Sequence, residues 1–148
     1  ISLEDIKALG LNVKLDRHVF EDVKEGEKVE SPGMKHRHYA PKTKAILVEY
    51  DKSDKMLDKI KSYQAKNKIS IGAICYKEHE NELKNLGIKT IVMGSRDDLL
   101  GISRNIFSLI RGIDKYNFDV CLIEGVKKEY IGTAIMNRLI RACGYNIL

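Results

Sequence analysis

From Ala45 onward the hydrophobic pattern alternates between two periods, and that alternation limits the fold more than any other property of the chain. Short, mostly apolar runs at 45–50, 69–76, 88–93 and 118–123 are separated by stretches whose apolar residues recur every three or four positions. The first kind reads as strands buried on both faces, the second as helices with one apolar stripe. Ser53 is expected to cap a helix carrying Met56, Ile60 and Tyr63 on one face, and Gly87 to close a short helix over 78–86. Ser95-Arg96-Asp97-Asp98 reads as a capping box ahead of the clearest helix, with Leu99, Ile102, Ile106, Leu109 and Ile113 in its stripe and Phe107 and Ile110 widening it. A last helix is expected over 133–143, stopped by Gly144, and a fifth strand over 145–148. Strands and helices in alternation imply an α/β fold: a three-layer α/β/α domain around a mostly parallel sheet.

The 148 residues are 43% hydrophobic and 32% charged, a globular composition, and no apolar run approaches the roughly 18 residues of a membrane span. No secretion signal follows Ile1. Cys75, Cys121 and Cys143 are odd in number, far apart and set among apolar neighbours, which suits buried thiols in a reducing compartment better than a disulfide frame or zinc site. A cytoplasmic location without membrane contact is expected.

Before the alternating region the chain is organised differently. Ser2-Leu3-Glu4-Asp5 starts a short helix that Gly10 stops, 11–20 alternates like a half-buried strand, and 21–30 is polar and rich in acids. A lone helix and strand cannot bury their apolar sides, so they are expected to belong to a domain whose remainder lies outside this sequence. Residues 31–44 then hold Lys35, Arg37, Lys42 and Lys44 and no acid, which is +4 of the formal +5 charge. Pro32 and Pro41 bracket His36, His38 and Tyr39 among those charges. Such a strap suits an anion: Arg37 can clamp a phosphate or carboxylate with paired donors, Lys35 adds a point charge, and Tyr39 can donate its hydroxyl or stack. A solvated tether is the plainer reading of a charge run. His36 and His38 lack a third ligand nearby, so no metal site is assigned.

In open parallel sheets ligands bind outside the carboxyl ends of the strands. Those ends supply Tyr50-Asp51, Tyr76-Lys77, Gly94-Ser95-Arg96 and Glu124-Gly125. Ser95, Arg96 and Glu124, joined by Asn137 and Arg138 of the last helix, form a candidate crevice; alternatively Arg138 and Arg141 mark the wet side of that helix. Neither a dinucleotide fingerprint nor a P-loop occurs, and no nucleophile triad or carboxylate pair is present. The residues alone leave open a free-standing nucleotide-binding module or an RNA-binding module working on phosphates.

The residue order adds a resemblance. Pro32-Gly33-Met34-Lys35, then Arg37-His38-Tyr39-Ala40-Pro41, resembles the interdomain linker of the two-domain, YrdC-like threonylcarbamoyl-AMP synthases. Leu122-Ile123-Glu124-Gly125-Val126 and Gly132-Thr133-Ala134-Ile135-Met136-Asn137-Arg138-Leu139 resemble the close of that family's C-terminal domain, and His36 stands where the family commonly has an aromatic residue. The resemblance implies a division into 1–30, the end of the catalytic domain; 31–43, the linker; and 44–148, a Rossmann-like accessory domain. It implies a parent nucleotidyltransferase that makes threonylcarbamoyl-AMP and pyrophosphate from L-threonine, bicarbonate and ATP with Mg²⁺, for a separate transferase that modifies tRNA. Lys35, Arg37, His38 and Tyr39 would then cover substrates bound in the catalytic domain. No catalytic residue falls in this stretch, which is expected to be inactive by itself, and direct tRNA contact is not the favoured reading.

Overall fold

The computed structural model describes residues 2–10, 41–66 and 69–148. A helix, α1 (Leu3–Ala8), precedes the alternating region, which runs β1 (Lys44–Val48), α2 (Ser53–Gln64), β2 (Ile71–Tyr76), α3 (Glu80–Asn85), β3 (Lys89–Gly94), α4 (Leu99–Arg111), β4 (Val120–Glu124) and α5 (Ile131–Ala142). The four strands form one parallel sheet in the order β1-β4-β2-β3. β4 lies inside, pairing Ile46 with Leu122 on one side and Ala73 with Leu122 on the other, and all five of its residues are buried. The expected fifth strand is a single parallel bridge of Ile147 to Leu47, held by Leu47 N–H to Asn146 O at 2.9 Å and Leu148 N–H to Leu47 O at 2.8 Å.

Because successive side chains of a strand point to opposite faces, the apolar runs build two cores. Ile46, Val48, Ala73, Cys75 and Leu122 face Met56 and Ile60 of α2 and Leu83 of α3. Leu47, Ile74, Cys121 and Ile123 face Ile102, Ile106 and Ile110 of α4 and Ile135 and Leu139 of α5. The helices on the two faces make the α/β/α layering that the sequence implies.

Two caps differ from expectation. Ser53 is the first residue of α2 rather than its cap; Lys52 holds the cap position without a side-chain bond. At α4 the cap is Asp98, whose carboxylate accepts from Gly101 N–H at 2.9 Å, while the Ser95 hydroxyl donates to Glu78 instead. At α1 the Ser2–Asp5 box forms as expected, and Gly10 follows it at φ 77°. No residue of α1 is buried, and its Glu4 carboxylate accepts from Tyr130 N–H at 3.1 Å. The expected strand over 11–20 and the acidic connection over 21–30 lie outside the described residues.

Gly72 shows how tightly β2 is covered: a Cβ built there would overlap the Phe118 ring, itself stacked on Tyr116 at 5.3 Å. Gly72→Ala is therefore expected to destabilise the domain by about 1–3 kcal/mol through overpacking, and Gly72→Ala/Phe118→Leu to recover much of it. Urea unfolding of the three proteins checks this; a neutral Gly72→Ala would show that the ring moves aside freely.

Candidate functional site

All four strands run the same way, so their carboxyl ends and the loops that follow meet along one edge. β1 and β2 lead to helices on one face and β3 and β4 to helices on the other. In the sheet order those departures alternate, the loops part, and a crevice is left between them. Each strand contributes to its wall: Tyr50 and Asp51 after β1, Tyr76 and His79 at and after β2, Arg96 after β3, and Glu124 and Gly125 at the end of β4.

Glu124 ends β4, one of the two inner strands, and is only 5% exposed. Both of its carboxylate oxygens converge on Nδ1 of His79, at 2.8 and 2.9 Å. Burial raises the Glu124 carboxyl above its ordinary value, with the bond and charge of His79 pulling the other way. The Tyr76 hydroxyl donates to the Gly125 carbonyl at 2.6 Å, and the Tyr76 ring meets the imidazole edge-on, so the ring orientation is fixed from two sides. With Nδ1 committed to the carboxylate, Nε2 is left as the second ring nitrogen of a side chain 20% exposed. The arrangement presents an oriented imidazole.

Arg96 closes the crevice from the β3 side. Its guanidinium lies over the rings of Tyr50 and Tyr76, at 5.2 and 5.7 Å, and binds Asp51 at 2.6 Å. The Tyr50 hydroxyl and the Asp51 carboxylate both push its pKa up. The Arg96 N–H and the Ser95 hydroxyl are taken by Glu78, whose carboxyl is held below its ordinary value by the Ser95 hydroxyl first. Glu78 thus occupies the donors of Ser95 and Arg96 in the loop between β3 and α4. Asp51 and Tyr130, non-glycine residues at φ 61° and 53°, lie in loops at the same edge.

The closed part of the crevice has a free volume of about 10 Å³, room for one water and not for a nucleotide. Beyond Tyr50 an open lobe of about 200 Å³ is lined by Glu49, Val126, Lys127, Lys128 and Met136. Among the described residues no group of three His, Cys, Asp or Glu side chains stands ready for a metal. Burial pushes the thiols of Cys75, Cys121 and Cys143 up to about 12, so none is a nucleophile near neutral pH.

Of the residues singled out from sequence, Arg96 and Glu124 come together here, while Ser95, next to Arg96 in the chain, gives its hydroxyl to Glu78 instead of lining the crevice. Asn137 and Arg138 do not line the crevice: the Arg138 guanidinium covers the Phe107 ring at 3.9 Å, joining α5 to α4, and Asn137 Oδ1 is buried without a hydrogen-bond partner among the described residues. Arg141, read with Arg138 as a wet-side residue, is 7% exposed and therefore buried. Lys35, Arg37, His38 and Tyr39 lie outside the described residues. His79 and Glu78 went unnoticed in the sequence, although a titratable residue within one turn of a strand's carboxyl end is the available signal.

A parallel three-layer sheet with its polar residues gathered at the carboxyl edge defines an open α/β domain of the Rossmann-like kind. The chain belongs to the family described as threonylcarbamoyl-AMP synthase, C-terminal domain, which matches residues 1–144. It is 34% identical over 152 aligned residues to the threonylcarbamoyl-AMP synthase of Pyrococcus abyssi, covering 100% of this chain and 41% of the relative, and 37% identical over 118 to that of Schizosaccharomyces pombe, covering 76% and 29%. The chain thus spans less than half the length of these curated relatives. A crystal structure of P. abyssi Sua5 complexed with L-threonine superposes with a TM-score of 0.75 at 29% identity, over 100% of this chain and 41% of that one. The C-terminal Sua5 domain of Pyrococcus horikoshii, solved by itself, matches with a TM-score of 0.51 at 27% identity, over 74% of this chain and 98% of that one.

Proposed function

We propose that this chain is the C-terminal portion of an L-threonylcarbamoyladenylate synthase acting in tRNA threonylcarbamoyladenosine formation, with 1–30 closing the catalytic domain, 31–43 serving as linker and 44–148 as accessory domain. The observation that carries the reading is a family match over 1–144 by a chain that corresponds to 41% of its relative from P. abyssi. In this reading ATP, with Mg²⁺, and L-threonine and bicarbonate are substrates held by the catalytic domain of the same parent, in the cytoplasm, and the product passes to a threonylcarbamoyl transferase.

The linker supplies what this chain contributes to the reaction. Arg37 grips substrate-derived anions with two parallel donors, Lys35 adds charge, and His38 and Tyr39 donate hydrogen bonds while covering the reacting groups. Cover matters because carbamates and mixed anhydrides hydrolyse when water reaches them. In support, a solved variant of the P. abyssi protein has an adjacent histidine and tyrosine changed to alanine, and His38-Tyr39 is the single His-Tyr pair of this sequence. The test is pyrophosphate release with ATP, Mg²⁺ and bicarbonate. The full-length parent is expected to release it in response to L-threonine and this chain alone to release none above background. Threonine-dependent release by the chain alone, or silence from the parent, would contradict the reading.

A further inference from the structure

Where the linker joins the accessory domain, one side chain takes hold of it. The Asp114 carboxylate accepts three hydrogen bonds, from Lys42 N–H at 3.0 Å, Thr43 N–H at 2.8 Å and the Thr43 hydroxyl at 2.7 Å. We propose that Asp114 is a positioning residue for threonylcarbamoyl-AMP formation, pinning residues 42 and 43 and thereby fixing the point on the accessory domain from which the basic linker departs. The inference rests on the reading of the linker given above.

Three observations separate this role from ordinary strand anchoring. First, β1 does not depend on the pin: its register is set from Lys44 onward by pairing with β4, and Ala45, Ile46, Leu47 and Val48 are all buried. The carboxylate acts on the two residues just outside the sheet. Secondly, the Asp114 carboxylate, in the first turn of the short 3₁₀ helix (Ile113–Tyr116) that follows α4, makes its three bonds to residues that lie 71 and 72 positions away in the chain. Those donors draw the carboxyl below its ordinary value, the Lys42 N–H most strongly. Thirdly, the mount is rigid: Ile113 is fully buried and Asn117 turns the chain in the left-handed region, so the carboxylate is fixed to the core.

The geometry makes the pin matter. Tyr39 is three residues before Lys42, so the chain between them spans at most about 11 Å. Holding Lys42 therefore limits the span of chain available between the accessory domain and Tyr39, and groups that must meet a substrate lose effect steeply when misplaced.

The experiment uses the full-length parent and compares Asp114→Ala, Arg37→Ala and the double variant in threonylcarbamoyl-AMP synthesis and in thermal melts. Expected are a roughly tenfold fall in kcat/KM for Asp114→Ala, no change in the melting of the accessory domain, and a double variant no slower than Arg37→Ala, since both act through one linker. Asp114→Asn, which keeps one acceptor oxygen, is expected to recover part of the rate. Wild-type turnover in Asp114→Ala beside a slow Arg37→Ala would overturn the pin and leave the linker reading intact. Wild-type turnover in both would overturn the linker reading and the pin with it. A rate loss that tracks a lowered melting temperature would also overturn the inference, by reducing Asp114 to a structural brace. If Asp114→Ala does not fold, Thr43→Val decides: a two- to threefold loss supports the pin and an unchanged rate rejects it.

Discussion

Arg37→Lys in the full-length protein is expected to slow threonylcarbamoyl-AMP formation roughly ten- to a hundredfold and to leave the melting temperature where it was. Lysine keeps the charge but not the planar fork, so the variant isolates directed, paired donation from bulk attraction. The loss of one charge-assisted hydrogen bond in the transition state, about 1.5–3 kcal/mol, corresponds to that range of rates. Stability should be spared because residues 31–44 carry few large apolar side chains, so the segment has little burial to lose. Tyr39→Phe keeps the ring and loses a neutral donor, and a milder fall is expected. Steady-state kinetics with melts on the same preparations check both. A wild-type rate for Arg37→Lys would return the linker to a plain tether.

The alternation of elements was legible because each kind of segment carries its own period. β4 and β2 are runs of β-branched and other apolar residues, and α4 shows Ile102, Ile106 and Ile110 at spacings of four. The order β1-β4-β2-β3 was not legible. Nothing local in 120–124 says that this strand slips between the first two, since its partners Lys44–Val48 and Ile71–Ile74 lie far off in the chain. The caps failed for a related reason. Ser95 has the right chemistry for a cap, but Glu78, 17 residues earlier, competes for its hydroxyl, and Asp98 is left to cap α4.

The crevice was half legible. Glu124 and Arg96 could be placed at strand ends from the pattern alone, whereas His79 gains its meaning from a carboxylate 45 residues away. Arg138 and Asn137 share a helix with the crevice side of the fold, yet one turn of that helix decides whether a side chain meets the loops or Phe107. The linker motif is a different kind of signal. Its charge could be counted, but its role came from the order of residues and the resemblance it carries.

Removing the imidazole from the crevice is the stability experiment with the largest expected effect. Glu124 is a nearly inaccessible carboxylate at the end of an inner strand, and His79 supplies its close partner; Arg96, at the same edge, is already bound to Asp51. Breaking a buried pair from one side leaves the other charge uncompensated, which costs about 3–5 kcal/mol, and the partial exposure of His79 places the expectation for His79→Leu near the lower end at neutral pH. The pH dependence gives the loss its signature. Burial already raises the Glu124 pKa, and without the bond and charge of His79, which lower it, the folded-state value rises further. An acid whose folded pKa lies above its unfolded one stabilises most when both states are protonated, below the ordinary value of 4.5, and that contribution is lost as pH climbs through the folded pKa. His79→Leu should therefore approach wild-type stability near pH 4 and fall away toward pH 7, as urea unfolding at the two values would reveal. Glu124→Leu added to it should restore most of the loss by removing the stranded charge. The same deficit at both pH values would instead assign the effect to lost packing around Tyr76.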